Sequence, residues 1–131
     1  MKLYHVSYRY LGERVRLEPR LSIEARIGRE PGPPRICVSD SIEGCLWAIT
    51  KSKLQKLMYV YQALRPRDID FDSPRQHVED WEVTQEVWIL QPTDFKFLYA
   101  IEVQDNLYTD DAPTYKRVRK STMQPTTTTN P

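Results

Sequence analysis

The sequence predicts an α+β domain in which strands outnumber helices and one helix packs on a sheet. Three observations lead there. Short runs alternate apolar and polar residues at period two. A single stretch, residues 42–49, carries apolar residues at helical spacing, and Pro and Gly interrupt the chain between the runs. With 131 residues, the chain has the length of one domain.

The elements follow in order. Residues 3–8 alternate, with Tyr4, Val6 and Tyr8 on one face and Leu3, His5 and Ser7 on the other. Residues 14–17 form a short second strand with Val15 and Leu17 inward. Residues 18–34 hold Pro19, Gly28, Pro31, Gly32, Pro33 and Pro34, breakers that predict a long functional or mobile loop. Residues 35–39 are strand-like again. Asp40-Ser41-Ile42-Glu43 resembles a capping box, with an N-cap acceptor and a Glu three residues on. It opens a helix whose stripe is Ile42, Cys45, Leu46 and Ile49. Strands follow at 57–64, 86–90 and 95–103, the last with Phe95, Phe97, Tyr99, Ile101 and Val103 expected on one face. Residues 65–83, rich in Pro and Asp, read as irregular.

Charge and composition narrow the function. The 19 Lys+Arg and 18 Asp+Glu nearly cancel, and residues 1–103 hold 15 of each sign. Such a body has no broad basic surface for nucleic acid or anionic membrane. Residues 104–131 lose apolar periodicity and end in a polar Thr-rich run, so they read as an extended or disordered, flexible tail. Its basic cluster at Lys116-Arg117-Val118-Arg119-Lys120 reads as solvated. No run reaches the roughly 18 apolar residues of a membrane span, and the first residues lead straight into strand-like sequence without a signal region. Cys37 and Cys45 are too few for a disulfide framework, and a cytoplasmic protein is expected. The four glycines are not grouped as a phosphate-binding loop requires. A zinc site would consume every His and Cys (His5, His77, Cys37 and Cys45) without a ligand spacing, so no metal is expected.

Polar residues on strand faces are the informative ones. His5 and Ser7 share a face, as do Arg35, Cys37 and Ser39, and again Glu86 and Trp88. If these faces converge, they form a cleft with a histidine, a serine and a carboxylate beside an indole. That set suits a ligand with hydroxyls and a flat ring. Each residue also has a plainer reading: His5 as a hydrogen-bonded structural residue, Ser39 as a cap or turn, Glu86 as a solvent-facing carboxylate, Arg20 as a loop charge, Trp88 as core.

The order of these residues carries a resemblance. A histidine stands in the first strand (Leu3-Tyr4-His5-Val6-Ser7), a serine ends a strand before a helix (Arg35-Ile36-Cys37-Val38-Ser39-Asp40-Ser41), and a glutamate opens a late strand (Thr84-Gln85-Glu86-Val87-Trp88). Over residues 3–103 this resembles the ADP-ribosyltransferase superfamily, and more closely its small phage or mobile-element members. The resemblance implies a small split, antiparallel-rich sheet with one main helix. It also implies NAD as substrate. His5 would hold a ribose of NAD, with Ser7 beside it; Ser39, with Ser41 nearby, would shape the nicotinamide pocket, and Tyr59 or Trp88 would stack on the nicotinamide. Glu86 would bond the nicotinamide-side ribose and stabilise the oxocarbenium-like transition state. An arginine of the 18–34 loop, here Arg20, has the geometry to hold the pyrophosphate.

The position two before Glu86 is Thr84, where many protein-modifying members carry Glu or Gln, so the acceptor stays open. A host or defence macromolecule is the expected target for a phage-encoded member. The alternative is a non-enzymatic binding or inhibitor protein on the same scaffold, taking a protein partner or an NAD-like nucleotide. An RNA-directed 2′-phosphotransferase would need an Arg/His/Arg set, for which only His5 with Arg20 or Arg35 is present.

Overall fold

The computed structural model describes residues 2–21, 33–49, 54–69, 86–104 and 113–118, and the backbone alone at 71, 72 and 86. The described residues form β1 (Tyr4–Ser7), β2 (Arg14–Leu17), β3 (Ile36–Ser39), α1 (Ile42–Ala48), β4 (Leu57–Ala63), β5 (Phe71–Asp72), β6 (Glu86–Ile89), β7 (Thr93–Gln104) and β8 (Thr114–Arg117). A 3-10 turn at Pro66–Asp68 follows β4, preceded by Arg65 in the left-handed region (φ 51°). The predicted strands and helix are all present, with ends moved by a few residues. Irregular structure expected at 65–83 is broken by the 3-10 turn and by the two-residue β5; residues 70 and 73–83 lie outside the described residues.

All strands join one antiparallel sheet in the order β2-β7-β4-β1-β3-β6-β5, with β8 also on β7. The twelve-residue β7 is long enough to carry two partners on one edge. Its start pairs with β2 (Val15 opposite Phe95) and its end with β8 (Val103 opposite Tyr115). β8 thus draws part of the expected tail into the sheet, while residues 119–131 lie outside the described residues.

The long aromatic strand departs from its predicted one-sided pattern. Val60 pairs with Tyr99 but Tyr61 pairs with Phe97, so Leu98 is an extra residue and the ladder bulges. An extra residue inverts the parity beyond it. Phe95 and Phe97 therefore join a core on one face with Leu3, Ile36, Val38, Tyr61, Ala63, Ile69 and Ile89. Ile101, Val103 and Tyr99 join the core on the other face, with Val6, Met58, Val60 and the helix. One strand thereby serves both cores.

Helix α1 covers the second face. Ile42, Cys45 and Leu46 are buried as the stripe predicts, and the Cys45 thiol donates to the Tyr4 carbonyl (3.2 Å), fixing the helix to β1. The N-cap is Ser41, not Asp40: its Oγ accepts from the Gly44 N–H at 3.0 Å. The expected capping box is therefore not formed, and Glu43 instead accepts from the Tyr115 hydroxyl of β8 at 3.1 Å. The helix ends at Ala48 with Ile49 as its C-cap. Among the described residues no helix is long and apolar enough to cross a membrane.

Candidate functional site

The sheet is continuous except between β1 and β3. β1 pairs with β4 through four residues but meets β3 only at Tyr4 opposite Ser39, and beyond that pair the strands part. His5 sits at the parting point. Its Nδ1 lies 2.9 Å from the Cys37 carbonyl, and because a carbonyl only accepts, Nδ1 carries the hydrogen. The neutral ring then presents an unprotonated Nε2. Burial pulls the His5 pKa below 6.5, with the Cys37 bond opposing it, and the ring tilts against Phe95 at 5.9 Å between centroids.

The parted strands open into a cavity of about 660 Å³, within the size class of small-molecule sites. Its walls come from the β1 end and following loop (His5, Ser7, Arg9, Leu11), from β2 and the segment after it (Val15, Arg20, Leu21), from Arg35 and the β3 it precedes (Cys37), and from the last turn of α1 (Cys45, Ala48). Arg20 and Arg35, both of which line it, form an isolated antiparallel bridge and exchange backbone hydrogen bonds of 3.0 and 2.9 Å. The loop between β1 and β2 is held by Tyr61. This fully buried residue accepts from the Leu11 N–H (2.7 Å) and donates to the Gly12 carbonyl (3.0 Å). Burial raises its pKa, against the Leu11 bond that lowers it, so the hydroxyl stays a donor at neutral pH.

The structure divides the candidate residues into two groups. His5, Ser7 and Arg20 line the cavity. Ser7 is buried and spends its hydroxyl on its own turn, donating to the Arg9 carbonyl at 2.8 Å and accepting from the Arg9 N–H at 3.2 Å. Ser39, Ser41, Tyr59 and Trp88 are not among the lining residues. Ser39 is 1% exposed beneath the start of the helix, Ser41 caps that helix, and Trp88 is 0% exposed. Tyr59 lies in an aromatic cluster with Tyr10 and Phe97. Glu86 is the register partner of Ser39, the residue that follows the lining residue Val38.

Register explains the division. Tyr4 and Ser39 face each other, so they share a sheet face, and His5 emerges on the other. Trp88 pairs with Cys37 and takes the Ser39 face. The serine and the indole therefore do not meet the histidine across a common face, as the sequence expected if the faces converged.

Arg35, which the sequence placed on a face with Cys37 and Ser39 but not among the residues of the NAD reading, stands at the cavity. It lines the cavity at 4% exposure, its guanidinium carbon lies 4.1 Å from the Trp88 ring centroid, and Nη1 donates to the Pro33 carbonyl at 3.2 Å. An arginine in a strand beside a distant tryptophan carries no local signal; the contact follows from β3–β6 pairing. Compared with protein-family models, curated proteins and solved structures, the chain matches none.

Proposed function

We propose that the chain binds NAD, or a nucleotide like it, in the gap between β1 and β3, and transfers ADP-ribose from it to a macromolecule. The observation that carries this reading is lateral order. The strand bearing His5, the strand ending in Ser39 and the strand opening with Glu86 are consecutive neighbours in the sheet, with Ser39 directly opposite Glu86 and the gap opening at His5. Segments separated by dozens of residues thus lie side by side, with Tyr4, Ser39 and Glu86 in one row and His5 one residue beyond it on the opposite face.

The chemistry asked of these residues is bounded. The bond between the ribose anomeric carbon and the nicotinamide nitrogen breaks, nicotinamide leaves with the electron pair, and a nucleophile of the acceptor takes its place and loses a proton. Positive charge develops on the ribose ring, and a fixed carboxylate, Glu86 in this reading, stabilises it more than mobile water does. His5 offers Nε2 as an acceptor for a ribose hydroxyl, since Nδ1–H is committed to Cys37. An ADP-ribosyltransferase-like fold, a host or defence target and action in the host cytoplasm belong to the same proposal.

The test is to incubate the full chain with labelled NAD and host lysate, following label on macromolecules and free nicotinamide. Transfer lost in Glu86→Gln is expected; transfer indifferent to that change refutes the assignment. A second reading, a non-enzymatic binding or inhibitor protein on this scaffold, is favoured by the burial of Ser39 and Trp88 away from the cavity. It is supported by NAD binding, or by capture and inhibition of a partner, without nicotinamide release.

A further inference from the structure

The β2 end of the sheet holds cations that the folded chain leaves unneutralised. Arg14 pairs with Lys96, Lys96 with Gln62, Gln62 with Tyr4, Tyr4 with Ser39 and Ser39 with Glu86, so these residues form one row across six strands on a single face. Helix α1 packs on β1, β3 and β6. At the β2 end of the face it covers, Arg14, Arg16, Asp94 and Lys96 are all exposed.

Arg14 and Lys96 stand directly opposite each other, and like charges in that position destabilise a sheet. Neither has an ion pair or a side-chain hydrogen bond among the described residues. The next pair along differs: Arg16 meets Asp94 at 3.2 Å, which commits that carboxylate. Arg14 and Arg16 are two residues apart on one strand, so their side chains leave the same face roughly 6.6 Å apart. Beside them lies a groove of about 300 Å³ lined by Arg14, Val15, Arg16, Leu64 and Asp94.

These features narrow what the face can hold. Arg14 and Arg16 repeat at the spacing with which an extended chain presents side chains to one side, so a segment with carboxylates at alternate positions meets both. A guanidinium takes a carboxylate through two parallel N–H donors. The patch is also small: residues 1–103 hold 15 charges of each sign, with Asp94 inside the patch and Glu13 next to Arg14. That mixture opposes the uniform charge of a nucleic-acid backbone, whose affinity comes from many phosphate contacts.

We propose that Arg14, Arg16 and Lys96 form a docking surface for an extended acidic segment of a partner protein. This rests on the chain having a protein partner, which the transferase and inhibitor readings share. It does not rest on NAD, because Arg14 and Lys96 are not among the residues lining the cavity between β1 and β3.

Fluorescence anisotropy on the full chain tests this with a short labelled peptide alternating Glu and Thr, its Lys/Thr analogue, and an oligo(dT) strand. The Glu peptide binds and the Lys analogue does not. Arg14→Ala and Lys96→Ala each weaken binding about two- to fivefold, the size of an exposed ion pair. Arg14→Glu replaces attraction with repulsion and weakens it about tenfold or more. Lys116→Glu makes the same change in net charge on β8, at the other end of β7, and binds as wild type does. All four positions are changed at exposed side chains, and equal melting temperatures check the fold. Equal loss in Arg14→Glu and Lys116→Glu assigns the binding to net charge and overturns the surface. Preference for oligo(dT) over the peptide overturns it too. A wild-type chain that binds no acidic peptide leaves Arg14 and Lys96 as charges guarding an edge strand, and also overturns it. Peptide binding that depends on Arg14, in a chain that releases no nicotinamide from NAD, keeps the surface and removes the transferase. Transfer from NAD to lysate protein that is undiminished in Arg14→Glu removes the surface and keeps the transferase.

Discussion

Replacing Tyr61 with Phe removes one oxygen and leaves the ring, so it isolates what that hydroxyl does. The ring is wholly buried and packs against Phe97 at 5.5 Å between centroids, contacts that Phe retains. Lost are two hydrogen bonds to backbone about fifty positions upstream, one from the Leu11 N–H at 2.7 Å and one to the Gly12 carbonyl at 3.0 Å. Each is worth a net 0.5–1.5 kcal/mol or so, which sets about 1–3 kcal/mol for the pair. Both backbone groups are only partly buried and water reaches them once the loop loosens, so the lower half of that range, about 1–2 kcal/mol, is expected. For a domain near 100 residues this lowers Tm by roughly 5–10 °C.

Urea unfolding with unchanged m-value is the assay, paired with hydrogen exchange at the Leu11 amide, whose protection should fall more than that of the β4 amides. Tyr10→Phe is the matched control, because its hydroxyl bonds an exposed Glu13 carboxylate at 3.0 Å and its loss should stay within about 0.5 kcal/mol. A Tyr61→Phe midpoint equal to that of wild type, or unchanged Leu11 protection, refutes the claim that this hydroxyl holds the β1–β2 loop. The consequence reaches the site, since Arg9 and Leu11 of the same loop line the cavity.

Three further outcomes follow from local geometry. Ser41→Ala should cost about 1 kcal/mol in chemical denaturation while Asp40→Ala costs a few tenths, the reverse of what a capping box beginning at Asp40 requires. Burial holds His5 below its ordinary 6.5, so the unfolded chain takes up the proton first. Its contribution is full above about pH 6.5 and is lost as pH falls toward the folded value; Tm measured from about pH 7 down to about pH 5 should drop less steeply in His5→Gln than in wild type. Gly12 holds φ +99°, where an L side chain is strained although the nearest atom to a new Cβ, the Arg14 carbonyl oxygen, is a comfortable 3.7 Å away. Gly12→Ala should therefore cost about 1 kcal/mol or more through backbone strain alone, read from the urea midpoint.

Local patterns made the elements legible. Period-two alternation of apolar residues marked β1, β2 and β3, although only β2 alternates in burial; β1 and β3 also bury Ser7 and Ser39 on the face opposite Val6 and Val38. The helix was legible from one stripe and a polar residue before it, although two candidate caps stood side by side and only the geometry selects Ser41. The bulge at Leu98 was not legible. Phe95, Phe97, Tyr99, Ile101 and Val103 alternate without a break, and the inversion appears only when β7 is counted against β4. β8 escaped for a similar reason. Tyr115 and Arg117 make their contacts with distant partners, Glu43 and Tyr99, so its composition alone resembles tail.

The candidate site shows where such reasoning stops in physical terms. A strand's alternation says which of its residues share a face, but not which face that is relative to the next strand. That relation is set by pairing register, and a shift of one residue reverses it. His5, Ser39 and Trp88 were each placed on the polar side of their own strands, and the Tyr4–Ser39 pair sets His5 against the other two. In an unbroken sheet the backbone ladder would then separate them. Here β1 leaves β3 after one pair, so the ladder that would divide the faces is missing at His5, and residues from both faces, Leu11 and Val15 on one and Cys45 and Ala48 on the other, border one cavity. The imidazole takes the place of a ladder bond by donating to the Cys37 carbonyl. Its removal therefore bears on two things at once: the backbone group it satisfies and the opening it edges. His5→Gln keeps a donor within reach of that carbonyl while removing the ring, so ADP affinity lost in a variant that still melts near wild type assigns the imidazole to the ligand, whereas a lowered Tm with unchanged affinity assigns it to the sheet.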